Sequence, residues 1–180
     1  MPLSPIHKIW PVMSIFRHLP IPNSVLDIGA GFGKYGVILR EHLDIRLQRY
    51  NKEDWKTIID AVDIWPQYIT PIHRYVYDTI FIGEALQVVK RLTNYDVFIL
   101  VEVLEHLSKD TGKELLGVIY RKCNFGISMS FPNSLPNCDR NNWPNPHERH
   151  LSVWGIDELI EMFGTDHVKA VGKLAYQIIK

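Results

Sequence analysis

Short apolar runs punctuate the chain over residues 25–28, 58–62, 79–82, 97–101 and 126–131, and each has the length of a β-strand. Between them lie stretches with helical spacing, over 35–50 and 111–123, the second with Thr111 and Glu114 at capping-box spacing ahead of Leu115, Leu116 and Ile119. Strands that read as nearly unbroken apolar runs are buried on both faces. The alternation therefore predicts an α/β fold: a Rossmann-like, doubly wound, mostly parallel sheet with helices on both faces. Residues 5–19 bring Ile9, Met13, Phe16 and Leu19 near helical spacing and predict an amphipathic opening helix, kinked at Pro11 or starting near it, and closed by Pro20 and Pro22. After a helix over 156–163 and Gly164, two strand candidates, 167–172 and 174–180, follow with no helix between them. They predict an antiparallel C-terminal hairpin, turning at Gly172 and Lys173, that closes one sheet edge.

The 180 residues suit a single domain spanning 1–180, and no internal repeat, linker or low-complexity segment divides them. Hydrophobic residues at 46% and charged residues at 22% are ordinary for a folded protein and exclude a disordered or fibrous chain. Lysine plus arginine balance aspartate plus glutamate at 20 each, which argues against a nucleic-acid partner, since no excess positive charge draws in a phosphate backbone. The first ten residues set prolines and a histidine where a secretory signal has its apolar core, and the longest apolar run is 97–101. A soluble, cytoplasmic protein without membrane contact is expected. Cys123 and Cys138 form no CxxC pair and fit reduced thiols with no chemical role.

The candidate chemistry begins at residues 25–36, VLDIGAGFGKYG, where Gly29, Gly31, Gly33 and Gly36 fall within eight residues directly after the first strand. Glycines at such a turn permit tight turning and let a ligand touch backbone, and the first strand-to-helix turn is the usual cradle in open α/β sheets. The dinucleotide pattern G-x-G-x-x-G fails because Lys34 holds its sixth position, and the Walker loop fails for want of a Gly-Lys-Ser/Thr ending. With its acid, G-x-G-x-G and preceding hydrophobics, the stretch resembles the first motif of class I S-adenosylmethionine-dependent methyltransferases. The resemblance runs over roughly residues 24–163. It implies that Asp27, Gly29, Ala30, Gly31 and Gly33 form the S-adenosylmethionine loop, and that Asp63 binds the ribose hydroxyls while Ile64 packs on adenine. It further implies that Glu84 and Ala85 face the adenine amino group and that Val101 and Glu102 lie near the methionine part. One departure is the segment 40–57 between the loop and Asp63, which is longer than the usual helix and turn.

On the acceptor side, a helix beginning after the fourth strand would put Glu102, Glu105 and His106 at i, i+3 and i+4, on one side of the chain. Two carboxylates and an imidazole serve as general base or as ligands of a divalent cation, although Glu105 and His106 read equally well as helix-start residues. His147 and His150 follow the fifth strand in a position to return over the same end of the sheet. Here the sequence resembles two branches of the family, the ubiquinone-biosynthesis O-methyltransferases and the small-RNA 3′-terminal ribose methyltransferases, both with Glu-x-x-Glu-His. The RNA enzymes also carry a histidine followed four residues on by tryptophan, as His150 and Trp154 stand here. That likeness implies Glu102, Glu105, His106 and His150 as holders of magnesium, manganese or iron, and Glu105, His106 and His150 as catalytic groups. Trp65, Trp143 and Trp154 are candidates to line a pocket for a flat or sugar-like acceptor, against the commoner fate of tryptophan, burial. The charge balance favours a small-molecule hydroxyl as acceptor over RNA. A non-catalytic cofactor-binding subunit is the third reading.

Overall fold

A computed structural model describes residues 4–132 and 145–180; Cys138 and Trp143 lie outside the described residues. Among the described residues seven strands form one sheet in the order β3-β2-β1-β4-β5-β7-β6. They are β1 (Ser24–Ile28), β2 (Ile58–Asp63), β3 (Ile80–Ile82), β4 (Tyr95–Val101), β5 (Cys123–Ser130), β6 (Val168–Val171) and β7 (Ala175–Ile179). The first five pair in parallel, while β7 runs antiparallel to both β5 and β6. The expected C-terminal hairpin is present, and it turns at Gly172, whose φ is +62°. Its second strand is the one that joins the sheet, leaving β6 at the edge.

Among the described residues six helices cover the two faces: α1 (Ile9–Met13), α2 (Lys34–Leu43), α3 (Pro71–Val76), α4 (Ala85–Arg91), α5 (Lys109–Lys122) and α6 (Ile156–Phe163). Every residue of β4 is buried, and the two-residue period of a strand splits them between two apolar layers. Phe98 and Leu100 join Leu86, Leu115, Ile119 and Leu159 from α4, α5 and α6. Val97, Ile99 and Val101 join Val12, Leu39 and Val76 from α1, α2 and α3. Each such side chain contributes about 1.5–3 kcal/mol on burial, and the sheet between the layers is fixed in register by them.

Four local expectations need correction. The opening helix is in three parts, with 3-10 turns at Ile6–Lys8 and Ser14–Arg17 flanking the five residues of α1. The helix expected over 35–50 stops at Leu43, because Asp44 leaves helical geometry and turns its buried carboxylate to Arg40 Nη1 (2.8 Å), Arg49 Nη1 (3.1 Å) and the Lys56 N–H (2.9 Å). Arg40 also donates to the carbonyls of Val76 (2.7 Å) and Thr57 (2.6 Å) and pairs with Asp78 at 2.6 Å. The long connection is thus tied down locally, and β2 keeps its register with β1. Third, α5 starts at Lys109, capped by the Ser108 hydroxyl accepting from the Thr111 N–H at 3.2 Å, so Thr111 lies inside the helix rather than capping it. Finally, β5 starts three residues earlier than its apolar run, at Cys123.

Candidate active site

The strand order reverses between β1 and β4, so helices leave toward opposite faces there, and in open α/β sheets ligands bind beyond the carboxyl ends of the strands at such a point. The glycine loop follows β1 at that point. Gly29, Gly31 and Gly33 all have positive φ (+78°, +55° and +83°), a conformation that side chains with a Cβ resist. At Gly29 a Cβ would also stand 2.5 Å from Val103 Cγ2. The Gly29 N–H donates to the Val62 carbonyl at 2.8 Å, and the Gly31 N–H donates to Asp63 Oδ2 at 2.9 Å. The other Asp63 oxygen accepts from the Trp65 N–H at 2.8 Å. Burial raises the Asp63 pKa while these two N–H donors oppose it. Asp63 thus ends β2 and meets the loop, despite the long connection.

Asp27 lies beneath the loop and is almost wholly buried. Its Oδ2 accepts from the Tyr77 hydroxyl at 2.5 Å, and that hydroxyl in turn accepts the Gly36 N–H at 3.1 Å. Burial pushes the Asp27 carboxyl up to about 7, against the Tyr77 hydrogen bond. Ala30 is buried within the loop, Ile64 is half-buried after Asp63, and Val101 is buried at the end of β4. Glu84 is exposed at the N-cap of α4, and Ala85 is that helix's first residue.

Beyond β4 the structure divides a group that the sequence puts together. Glu102 has φ +56°, so residues 102–106 do not share one helical face. Its Oε1 instead meets Lys8 Nζ at 2.5 Å and the Ser130 hydroxyl at 2.9 Å. Glu105 and His106 lie in the following 3-10 turn, Leu104–His106, and His150 returns to them. One ligand atom from each of Glu105, His106 and His150 lies within 4.8 Å of the others, and the two imidazoles meet edge to face at 4.8 Å between centroids. Glu102 is outside this set. Burial, reinforced by Glu102, pushes the Glu105 carboxyl up to about 8, and burial together with His106 lowers the His150 pKa. Glu105 Oε2 and His150 Nδ1 are buried and have no hydrogen-bond partner among the described residues. The Arg149 carbonyl can only accept, so His106 Nδ1, 3.2 Å from it, is the donor, and in the neutral ring Nε2 is then the nitrogen with the lone pair.

Trp154 explains why His150 arrives there. It is buried, donating from Nε1 to the Leu104 carbonyl at 3.1 Å, while the Leu151 N–H donates to the Glu105 carbonyl at 2.6 Å. The indole fills the space that Gly112 leaves, where a Cβ would stand 2.4 Å from Trp154 Cζ2. Trp154 is therefore a core anchor and not a pocket wall. Trp65 is half-buried, 6.1 Å from the His147 ring, and nearby the Tyr68 hydroxyl donates to Glu148 Oε1 at 2.9 Å.

Three side chains at the site escape sequence reasoning: Lys8, His73 and Tyr77. His73 is wholly buried on α3, and its Nε2 is 3.0 Å from the Gly31 carbonyl. Thr70-Pro71 followed by His73 at the third helical position carries a helix-start signal that would have located α3. Nothing local marks Lys8, which meets its partner across 94 residues.

No family model matches the chain, and no curated protein matches its sequence significantly. Solved structures do match. The chain is similar to a magnesium protoporphyrin IX methyltransferase from Synechocystis with bound S-adenosylhomocysteine (TM-score 0.64, 12% identity, covering 97% of this chain and 83% of that one). It is also similar to the N-methyltransferase NodS from Bradyrhizobium japonicum in complex with S-adenosylhomocysteine (TM-score 0.62, 12% identity, 94% and 83% covered). The fold is that of the S-adenosylmethionine-dependent methyltransferases. A third example of this methyltransferase fold, from Archaeoglobus fulgidus, matches with TM-score 0.59 and 19% identity over 90% of this chain and 69% of that one. Among the described residues no helix is long and apolar enough to cross a membrane.

Proposed function

We propose that the chain binds S-adenosylmethionine and transfers its methyl group to a hydroxyl of a small molecule. The observation that carries this reading is the juxtaposition, at one end of the sheet, of a glycine loop tied to Asp63 with the Glu105, His106 and His150 group. Glycines with no Cβ admit the methionine part, and Asp63 accepts from the ribose hydroxyls, with Ile64 against the adenine and Glu84 and Ala85 toward its amino group. Val101 and Glu102 border the methionine end. On the acceptor side, the Nε2 lone pair of His106 is a general base aimed away from Arg149.

The same three side chains fit a divalent cation, because Glu105 Oε2 and His150 Nδ1 are buried polar atoms without partners among the described residues. Glu105, His106 and His150 would hold magnesium, manganese or iron, whereas Glu102 is engaged by Lys8. Such a cation supplies a lowered pKa for an acceptor hydroxyl. That fit favours a second reading, methylation of the 3′-terminal ribose of RNA, which the balanced charge ranks behind a small molecule. A hydroxyl acceptor, a soluble cytoplasmic setting and the absence of a nucleic-acid partner belong to the first reading, the small-molecule methyltransferase.

Isothermal titration with S-adenosylhomocysteine, with and without manganese and after chelation, tests it. Micromolar binding is expected, and a manganese-dependent heat that His150→Ala abolishes would support the cation site. No binding would sink the methyltransferase reading. Tight binding without turnover on any hydroxyl acceptor would favour a non-catalytic subunit, and salt-dependent binding to RNA ends would favour the ribose enzyme.

A further inference from the structure

Helix α3 packs behind the glycine loop, and its one buried imidazole reaches the loop backbone. His73 Nδ1 lies 3.1 Å from the Thr70 N–H and 3.0 Å from the Thr70 hydroxyl. A backbone N–H only donates, so Nδ1 accepts and is unprotonated. The ring proton is therefore on Nε2, and it points to the Gly31 carbonyl at 3.0 Å. On its other side, the Gly31 N–H donates to Asp63 Oδ2 at 2.9 Å. Gly31, at φ +55°, is thus pinned through both its backbone groups. Gly33 rests on the same ring, where a Cβ would stand 3.3 Å from His73 Nε2.

We infer that His73 is a positioning residue for the cofactor loop: its Nε2–H holds the Gly31 peptide in the orientation that presents Asp63 and the open glycine surface to the ligand. The inference rests on the methyltransferase reading of the loop. Glycine peptides rotate freely when unpinned, so a loop without this bond must be ordered by the ligand, at a cost in affinity. Burial lowers the imidazole pKa, in the same direction as the neutral ring that acceptance from the Thr70 N–H requires. His73 touches loop backbone rather than reacting atoms, so it governs binding of the cofactor and leaves the acceptor chemistry alone.

Titration of S-adenosylhomocysteine into wild type, His73→Leu and His73→Gln tests the assignment. Leucine keeps apolar volume and removes the donor; glutamine restores an amide donor toward Gly31. The expected result is wild-type binding, at least tenfold weaker binding by a folded His73→Leu, and binding by His73→Gln at least threefold tighter than by His73→Leu. A folded His73→Leu that binds like wild type would overturn the inference, as would equal weakness in the glutamine variant, which would assign the effect to packing. If His73→Leu does not fold, the 15N shifts of the wild-type His73 ring decide: protonation at Nε2 supports the assignment and protonation at Nδ1 overturns it. Wild type that binds no S-adenosylhomocysteine would instead bring down the methyltransferase reading itself, an outcome distinct from equal binding by wild type and His73→Leu.

Discussion

Asp27 illustrates what burial does to one acid. Its carboxyl is pushed from 3.8 up to about 7, chiefly by burial. Between about pH 4 and pH 7 the folded chain holds a proton there that the unfolded chain has lost, so this group makes stability fall as pH rises through that window and level off above it. Asp27→Asn keeps an oxygen to accept from Tyr77 and removes the titration. It is expected to raise stability near pH 8 by up to about 4 kcal/mol relative to wild type, and to change little near pH 4. Urea midpoints at the two pH values check this, and the wild-type-minus-variant difference separates Asp27 from Glu105, which titrates in an overlapping range. An unchanged pH slope in the variant would contradict the account. The acid near the end of the first strand is legible in the sequence, but its burial under Tyr77 is not, because that contact spans 50 residues.

Among the elements, two helix glycines make opposite predictions from one substitution. Gly36 on α2 faces Tyr77 and Val76, and a Cβ there would stand 2.5 Å from Tyr77 Cζ and 2.7 Å from Val76 Cγ2. Gly36→Ala is expected to cost about 1–3 kcal/mol despite alanine's better helix propensity. On α5, a Cβ at Gly117 would meet, among the described residues, only Arg121 Nη1, at 3.6 Å, so Gly117→Ala is expected to stabilise by about 0.5–1 kcal/mol. Thermal melts of the pair give the signs directly. Apolar period marks the five parallel strands, α2, α5, α6 and the C-terminal hairpin, whereas the short helices α3 and α4 go unmarked by it and helix ends depend on partners elsewhere. Asp44 stops α2 because Arg40, Arg49 and the Lys56 N–H converge on its carboxylate, and only Arg40 and Arg49 are near it in sequence.

Across the whole molecule, stability is expected to grade from the sheet centre outward. β4 is buried along its entire length between β1 and β5, while the edge strand β6 has two exposed and two half-buried residues. Amide hydrogen exchange should be slowest in β4 and β1 and fastest in β6; equal protection of β6 and β4 would contradict the layered core described above. The sequence by itself determined the class of fold, the glycine loop and Asp63, because these follow from apolar period and from the backbone demands of a strand-to-helix turn. Only the tertiary structure decided which acids and histidines meet. Glu102 turns away to Lys8 because its positive φ breaks the helical spacing, and His150 comes to Glu105 and His106 because the buried Trp154 draws its segment down. Contacts of that kind depend on backbone direction and on packing between elements far apart in the chain, and neither is written in local spacing.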